Sequence, residues 1–307
     1  MEKLTKHMQL SDNDLFLLSR DAISAASQAG KIIAEYAKHP ASVQSKTGGE
    51  SYASQVVTEV DFLCQELILK TLLPSCEKFD LALLTEESTD DRMRLEKEYF
   101  WCIDPLDGTL PFIEKTSGYA VAIALVSQSG TPLIGVIYDP VKQTLYHAVK
   151  GAGAFRNEQK WDFIHPSHID RQFLTVISDR SFIQQSYYSK AIEALHAIAI
   201  ELGLDGLKHI EHGGAAMNAC WVLENYPACY FKFPKQKNSG GSLWDYAATS
   251  CLFNETGAFV SDIYGKPLDL NRPDSTFMNH RGILYASHQN IAEIIQKLYK
   301  KIKSSSL

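Results

Sequence analysis

The sequence predicts a mixed α/β protein, and three observations carry that expectation. Helical apolar spacing marks residues 12–36 and 58–74. Short apolar strands joined by tight turns follow one another from Tyr119 to Val149. Strands then alternate with helices from Leu174 to Ile302. At 307 residues, with 45% hydrophobic and 21% charged content, the chain is long enough for about two domains and a sizeable core. The expected division is an α+β half over residues 1–165 and an α/β half over residues 166–307.

The first helix has a start signal in Ser11, with Asp14 three residues on. Leu15, Leu18, Ala22, Ala25, Ala29, Ile32, Ile33 and Tyr36 share its apolar face, and His39-Pro40 should stop it. Residues 41–55 read as a polar, mobile loop. Its Lys46-Thr47-Gly48-Gly49 run lacks the spacing of a phosphate-cradling loop. A second helix begins near Thr58, buries Val60, Leu63, Cys64, Leu67, Ile68 and Leu72, and should close at Pro74. Asp61 in its first turn either complements the helix dipole or faces a metal.

Two apolar strands then end in paired carboxylates. Leu81–Leu84 runs into Thr85-Glu86-Glu87-Ser88, and Tyr99-Phe100-Trp101-Cys102-Ile103 runs into Asp104-Pro105-Leu106-Asp107-Gly108-Thr109. Pro105 should end the second strand and hold Asp104 and Asp107 on a rigid turn. Like charges that close raise each other's pKa unless a cation lies between them, and Mg²⁺ favours oxygen ligands. A surface turn explains the Asp-Pro and Asp-Gly pairs but not the abrupt change from Trp-Cys-Ile to charge. Two deliveries about 20 residues apart suggest convergence on one site.

Residues 89–98 read as a solvated loop or short helix. Strands over 119–127, 133–138 and 144–149 form an antiparallel meander. Gly151–Phe155 reads as a turn and residues 156–171 as the junction between halves. The second half shows strands at 174–178, 228–233, 258–260 and 282–286, and helices at 186–202, 215–225, 244–253 and 291–302. His212-Gly213-Gly214 before the helix at Ala215 is either a tight turn or an anion seat.

A net charge of −6 disfavours a nucleic-acid or anionic-membrane partner. Cys64, Cys76, Cys102, Cys220, Cys229 and Cys251 form no CxxC, lack zinc spacing with histidine, and read as buried residues of a reducing compartment. Residues 1–14 carry no apolar signal core, and no apolar run approaches a membrane span, so a cytoplasmic protein is expected.

Three ordered motifs, Thr85–Ser88, Asp104–Thr109 and Trp244-Asp245-Tyr246-Ala247-Ala248, resemble the Glu-Glu, DPxDGT and WDxAA motifs of the Mg²⁺-dependent, lithium-sensitive phosphatase superfamily that includes inositol monophosphatases. The similarity runs from about residue 12 to residue 287. The resemblance implies a layered α/β/α/β/α fold with the site between the halves. It implies two or three Mg²⁺ ions, with Mn²⁺ as a substitute and Li⁺ as an inhibitor. Glu86, Asp104, the Leu106 carbonyl, Asp107 and Asp245 would hold metal, with Asp61 a weaker ligand of a third ion. Thr109 would orient the attacking water with Glu86 and Asp61 as catalytic partners, while Gly108, Thr109, Gly214, Lys232 and Asp245 would contact substrate. The chemistry is coherent, because metals neutralise a phosphate monoester's repulsive charge and acidify water.

Within the superfamily, Val176-Ile177-Ser178-Asp179-Arg180-Ser181 and Gly265-Lys266-Pro267-Leu268-Asp269 resemble the 3′(2′),5′-bisphosphate nucleotidase branch. Lys232 stands near where inositol-specific members carry a carboxylate, and Lys235 and Lys237 lie on the following loop. A cation there suits a second phosphate. Leu110-Pro111 departs from that branch's Lys-Glu, and Thr85 from its Gly or Ser. The resemblance therefore implies hydrolysis of 3′-phosphoadenosine 5′-phosphate to AMP and phosphate. The alternatives are an inositol monophosphatase or a non-catalytic phospholigand sensor. A small phosphorylated substrate is the implied partner, for a monomer or a homodimer.

Overall fold

A computed structural model describes residues 9–38, 43–45, 56–161 and 173–304. Within them, helices and sheets alternate in five layers. Helix α1 (Asp12–Tyr36) begins at Ser11, whose N–H donates to Asp14 Oδ2 at 3.0 Å while Asp14 N–H donates to Ser11 Oγ at 3.2 Å. Strand β1 (Val43–Ser45) pairs antiparallel with β2 (Val56–Thr58), so part of the expected polar loop is strand. The Lys46–Gly49 run and the His39-Pro40 stop lie outside the described residues. Helix α2 (Glu59–Phe79) lies against α1 and carries Pro74 in its interior. Pro74 therefore does not close it, and five further residues stay helical. Proline removes one backbone donor there, while buried Ser75 and Cys76 keep the following turn tied to the core.

The first sheet runs β3 (Ala82–Thr85), β4 (Tyr99–Asp107), β5 (Ala120–Ser127), β6 (Pro132–Asp139), β7 (Thr144–Val149), β8 (Gly153–Arg156) and β9 (Gln159–Lys160) in chain order. β3 and β4 are parallel and every later neighbour is antiparallel. Gly153–Phe155 is thus strand rather than turn, and the expected junction at 156–171 takes in the last residue of β8 and all of β9. Side chains alternate between faces with a period of two. Trp101, Ile103, Val121, Ile123 and Leu125 join the core under α1 and α2. Phe100, Cys102, Ala120, Ala122 and Ala124 face a second core.

That second core holds α5 (Ala215–Glu224) and α6 (Leu243–Thr256). The alanine row lets α6 approach closely. At Gly135 a Cβ would lie 2.2 Å from the Ala248 carbonyl oxygen, so only glycine fits. Beyond these helices lies a five-stranded sheet in the order β11 (Gly206–Ile210), β10 (Phe173–Ile177), β12 (Ala228–Lys232), β14 (Ile283–Ala286) and β13 (Phe259–Ser261). Strand β10 is parallel to β11 and β12, and β14 is antiparallel to β12 and β13. Ile177, Tyr230 and Tyr285 face inward. Leu174, Val176, Cys229, Phe231 and Leu284 face outward onto α4 (Tyr188–Glu201) and α7 (Gln289–Ser304). Strand β11 escaped the sequence reading because it is a short edge strand carrying Lys208 and His209. The result is the layered α/β/α/β/α arrangement.

All six cysteines are buried and unpaired. Burial pushes the thiols of Cys64 and Cys229 up to about 12, which makes them poor nucleophiles. Among the described residues no helix is long and apolar enough to cross a membrane.

Candidate metal centre

Strand β4 does not stop at Pro105. It runs on to Asp107, with its register against β5 broken between the Asp104–Ala122 and Asp107–Ala120 pairs. Proline has no N–H to offer a ladder, and an irregularity is where a strand tolerates it. Within that break the Leu106 N–H donates to Asp104 Oδ1 at 3.0 Å, spanning Pro105. Gly108 follows at φ +87°, and helix α3 (Thr109–Ile113) starts there. A Cβ at Gly108 would lie 2.9 Å from the Gly118 carbonyl oxygen, so both its φ and its close neighbour require glycine. Thr109 Oγ1 lies 3.4 Å from the Leu106 carbonyl oxygen.

Asp107 reaches across to α5, where Ala215 N–H donates to Oδ1 at 2.9 Å and Ala216 N–H to Oδ2 at 2.8 Å. Gly214 precedes that helix with no side chain to cap it, and Asp107 serves the free amides instead. Of the two readings of His212-Gly213-Gly214, these contacts fit the tight turn. The Gly214 N–H donates to the Gly118 carbonyl at 2.7 Å, and the next two amides already hold a carboxylate. A Cβ at Gly214 would lie 2.4 Å from Asp107 Oδ2 and 2.7 Å from Gly108 Cα, so glycine is what brings the two segments together.

Asp245, in the first turn of α6, accepts the Ser242 N–H. It is thus tied to a helix start as Asp107 is, from within its own helix. Asp104, Asp107 and Asp245 bring one oxygen each within 4.8 Å of one another. Burial raises the Asp104 pKa well above the usual carboxylate value, and Glu86, Asp107, Asp245 and Asp61 raise it further. Burial and then Asp245 raise Asp107, against the two helix amides. Burial also raises Asp245, partly offset by the Ser242 amide and the Lys232 charge. Two buried acids and a half-buried third converging on one point are unfavourable alone and favourable around a hard cation. The donor set therefore fits Mg²⁺ or a similar ion.

Asp61 is buried in the first turn of α2, and Glu86 follows β3, with its N–H on the Ile103 carbonyl at 3.1 Å. Both lie within the electrostatic reach of Asp104 but outside the group of three. The turn around Glu86 is braced from α2 by buried Gln65. Its Oε1 accepts the Thr85 hydroxyl and the Glu87 N–H, and its Nε2 donates to Ser88 Oγ at 3.1 Å. Sequence reading missed Gln65, although it lies four residues after Asp61, on the same helix face.

Lys232, at the end of β12, is paired with an acid. Its Nζ lies 2.6 Å from Asp179 Oδ2 and donates to the Gly240 carbonyl at 3.0 Å. Burial opposes the ammonium, but Asp179 and its other partners outweigh it and hold the Lys232 pKa above the ordinary lysine range. Asp179 also accepts from the Tyr230 hydroxyl at 3.1 Å and from Asn218 Nδ2 at 3.3 Å. Its neighbour Arg180 forms a two-pronged ion pair with Glu114, which follows α3. The 53-residue separation of Asp179 and Lys232 hid their pairing from sequence reading, although Asp179 lies in a stretch that carried the branch resemblance. The Lys235 N–H donates to the Asn279 carbonyl at 2.9 Å, and Lys237 is exposed.

The inositol monophosphatase family model matches residues 18–303. The Nus factor SuhB of Salmonella typhimurium (strain 14028s / SGSC 2262) is 29% identical over 244 residues, covering 80% of this chain and 84% of that protein. Inositol monophosphatase 1 of Bos taurus is 27% identical over 281 residues, covering 90% and 91%. A solved IMPase/NADP phosphatase complexed with NADP and Ca²⁺ superposes with a TM-score of 0.70 at 18% identity, covering 94% of this chain and 97% of the other.

Proposed function

The chain belongs to the inositol monophosphatase family, and we propose that it is a metal-dependent phosphomonoesterase whose centre is Asp104, Asp107 and Asp245. The observation that carries this reading is the convergence of two buried carboxylates and a half-buried third within 4.8 Å. Glu86, the Leu106 carbonyl and Asp61 would complete the ligands, for two or three Mg²⁺ ions or for Mn²⁺. When bound, such cations neutralise phosphate charge and acidify a water. The protein's own part is to hold that water and the phosphate. The Thr109 hydroxyl, beside the Leu106 carbonyl, orients the water, and Glu86 receives its proton. The Gly108 and Thr109 amides face the phosphate, and Asp245 a substrate hydroxyl. Asp104→Asn, assayed for phosphate release with Mg²⁺, tests the reading. Wild-type rates in that variant would remove Asp104 from the centre.

For the substrate we propose 3′-phosphoadenosine 5′-phosphate, hydrolysed with water to AMP and phosphate. The reading rests on the Val176–Ser181 and Gly265–Asp269 stretches and draws its cations from Lys235 and Lys237. A second reading, an inositol monophosphate, is favoured by the Asp179–Lys232 pair, which removes the cation best placed for a second phosphate. The bovine relative's name points the same way. Side-by-side turnover of the two substrates in Mg²⁺, with and without Li⁺, decides between them. No phosphate release from any monoester would instead indicate a phospholigand sensor.

A further inference from the structure

One half-buried charge near the centre is left without a catalytic task. Lys232 ends β12 with four partners around its ammonium. Asp179 and the Gly240 carbonyl bond it, and the rings of Tyr230 and Tyr246 lie under it at 5.7 Å and 5.6 Å. Tyr246 in turn donates its hydroxyl to the same Gly240 carbonyl at 2.8 Å. The next residue, Gly241, has φ +107°, and a Cβ there would lie 2.4 Å from the Tyr246 hydroxyl oxygen. The Gly240-Gly241 turn is therefore clamped between a lysine on β12 and a tyrosine on α6. Ser242 follows, and its N–H holds the Asp245 carboxylate. The chain of contacts runs without a gap from Asp179 through Lys232, Gly240 and Tyr246 to Asp245.

We propose that Lys232 is a positioning residue, a strut that fixes the Gly240-Gly241 turn and through it aims Asp245 into the metal centre, rather than a substrate-binding cation. The proposal rests on the metal-centre reading above. It makes a prediction of opposite sign to the one that charge alone makes. An ammonium beside a group of carboxylates repels a metal ion, so its removal should tighten metal binding if charge were its only contribution. Loss of a strut should weaken binding, because misaimed ligands bind less well.

The test is Mn²⁺ binding to the full-length protein without substrate, read from the electron paramagnetic resonance signal of free Mn²⁺. Steady-state rates on a nucleoside bisphosphate and an inositol monophosphate are measured alongside. Lys232→Met should raise the Mn²⁺ dissociation constant about tenfold and lower kcat on both substrates alike, with the ratio of their KM values unchanged. Tyr246→Phe alters no charge and should weaken Mn²⁺ binding about threefold, and it decides the matter if Lys232→Met does not fold. Equal or tighter Mn²⁺ binding in either folded variant overturns the strut. So does a KM rise confined to the bisphosphate. Wild-type protein that binds no Mn²⁺ overturns the metal-centre reading, and the strut with it. Wild-type protein that binds Mn²⁺, loses it in both variants and releases no phosphate keeps the strut and removes the phosphatase reading.

Discussion

Strands β4 and β12 both end in charge, and the structure treats the two ends differently. β4 delivers Asp104 and Asp107 into a buried place where Asp61, Glu86 and Asp245 add more negative charge. β12 delivers Lys232 to Asp179, Gly240 and two aromatic faces. One end concentrates like charge, and the other matches opposite charge. Burying a carboxylate costs free energy unless something compensates, so the β4 end makes physical sense as a site for a cation. The β12 end already has its counter-ion and makes sense as framework. Residue type alone did not separate them, but partners did.

The largest effect that sharpens this contrast is chemical. Asp104→Asn removes a carboxylate without changing its size, and phosphate release should fall about a thousandfold while circular dichroism stays that of wild type. Gly214→Ala comes next. A methyl group 2.4 Å from Asp107 Oδ2 must displace that carboxylate or α5, and a shift of that order should cost about a hundredfold in kcat. Gln65→Leu removes the brace on the Glu86 turn. It should lower kcat about tenfold and destabilise the protein by about 2 kcal/mol in chemical denaturation, since the Glu87 N–H and two hydroxyls lose a partner. A Gln65→Leu variant with wild-type kcat would leave Gln65 a purely structural residue.

The smallest effect is on stability against pH. Asp104, Asp107 and Asp245 all have folded-state pKa values raised above those of the unfolded chain. Each keeps its proton longer in the fold. Its contribution is therefore complete below the ordinary aspartate range and lost as pH rises through the folded value. In chelator, the wild-type melting temperature should fall between about pH 4 and neutrality more steeply than that of Asp104→Asn. Mg²⁺ should remove that difference in slope. Parallel melting curves in chelator would mean that Asp104 carries no raised pKa.

Most of the fold was legible because the residues that build it act locally. Period-two alternation in Phe100–Ile103 and Ala120–Val126 sorts side chains to two cores, and Ser11 with Asp14 marks a helix start within four residues. Pro74 and Pro105 misled for one reason. Proline's local penalty predicts a stop at each, whereas a helix tied to the core and a register break absorb it. The acids of the candidate site were legible as charge at the ends of apolar strands. Their partners were not, because they come from far along the chain. Asp107 meets amides 108 and 109 residues away, and Lys232 meets a carboxylate 53 residues earlier. Sequence pattern shows which charges arrive at a site but not which of them arrive already paired.

The most direct measurement is a calorimetric titration of Mg²⁺ into the substrate-free protein, wild type against Asp104→Asn. Saturable binding in the wild type, lost or weakened at least about tenfold in the variant, is the predicted result. Equal binding in both, or none in the wild type, would contradict the assignment of Asp104, Asp107 and Asp245 as a metal centre.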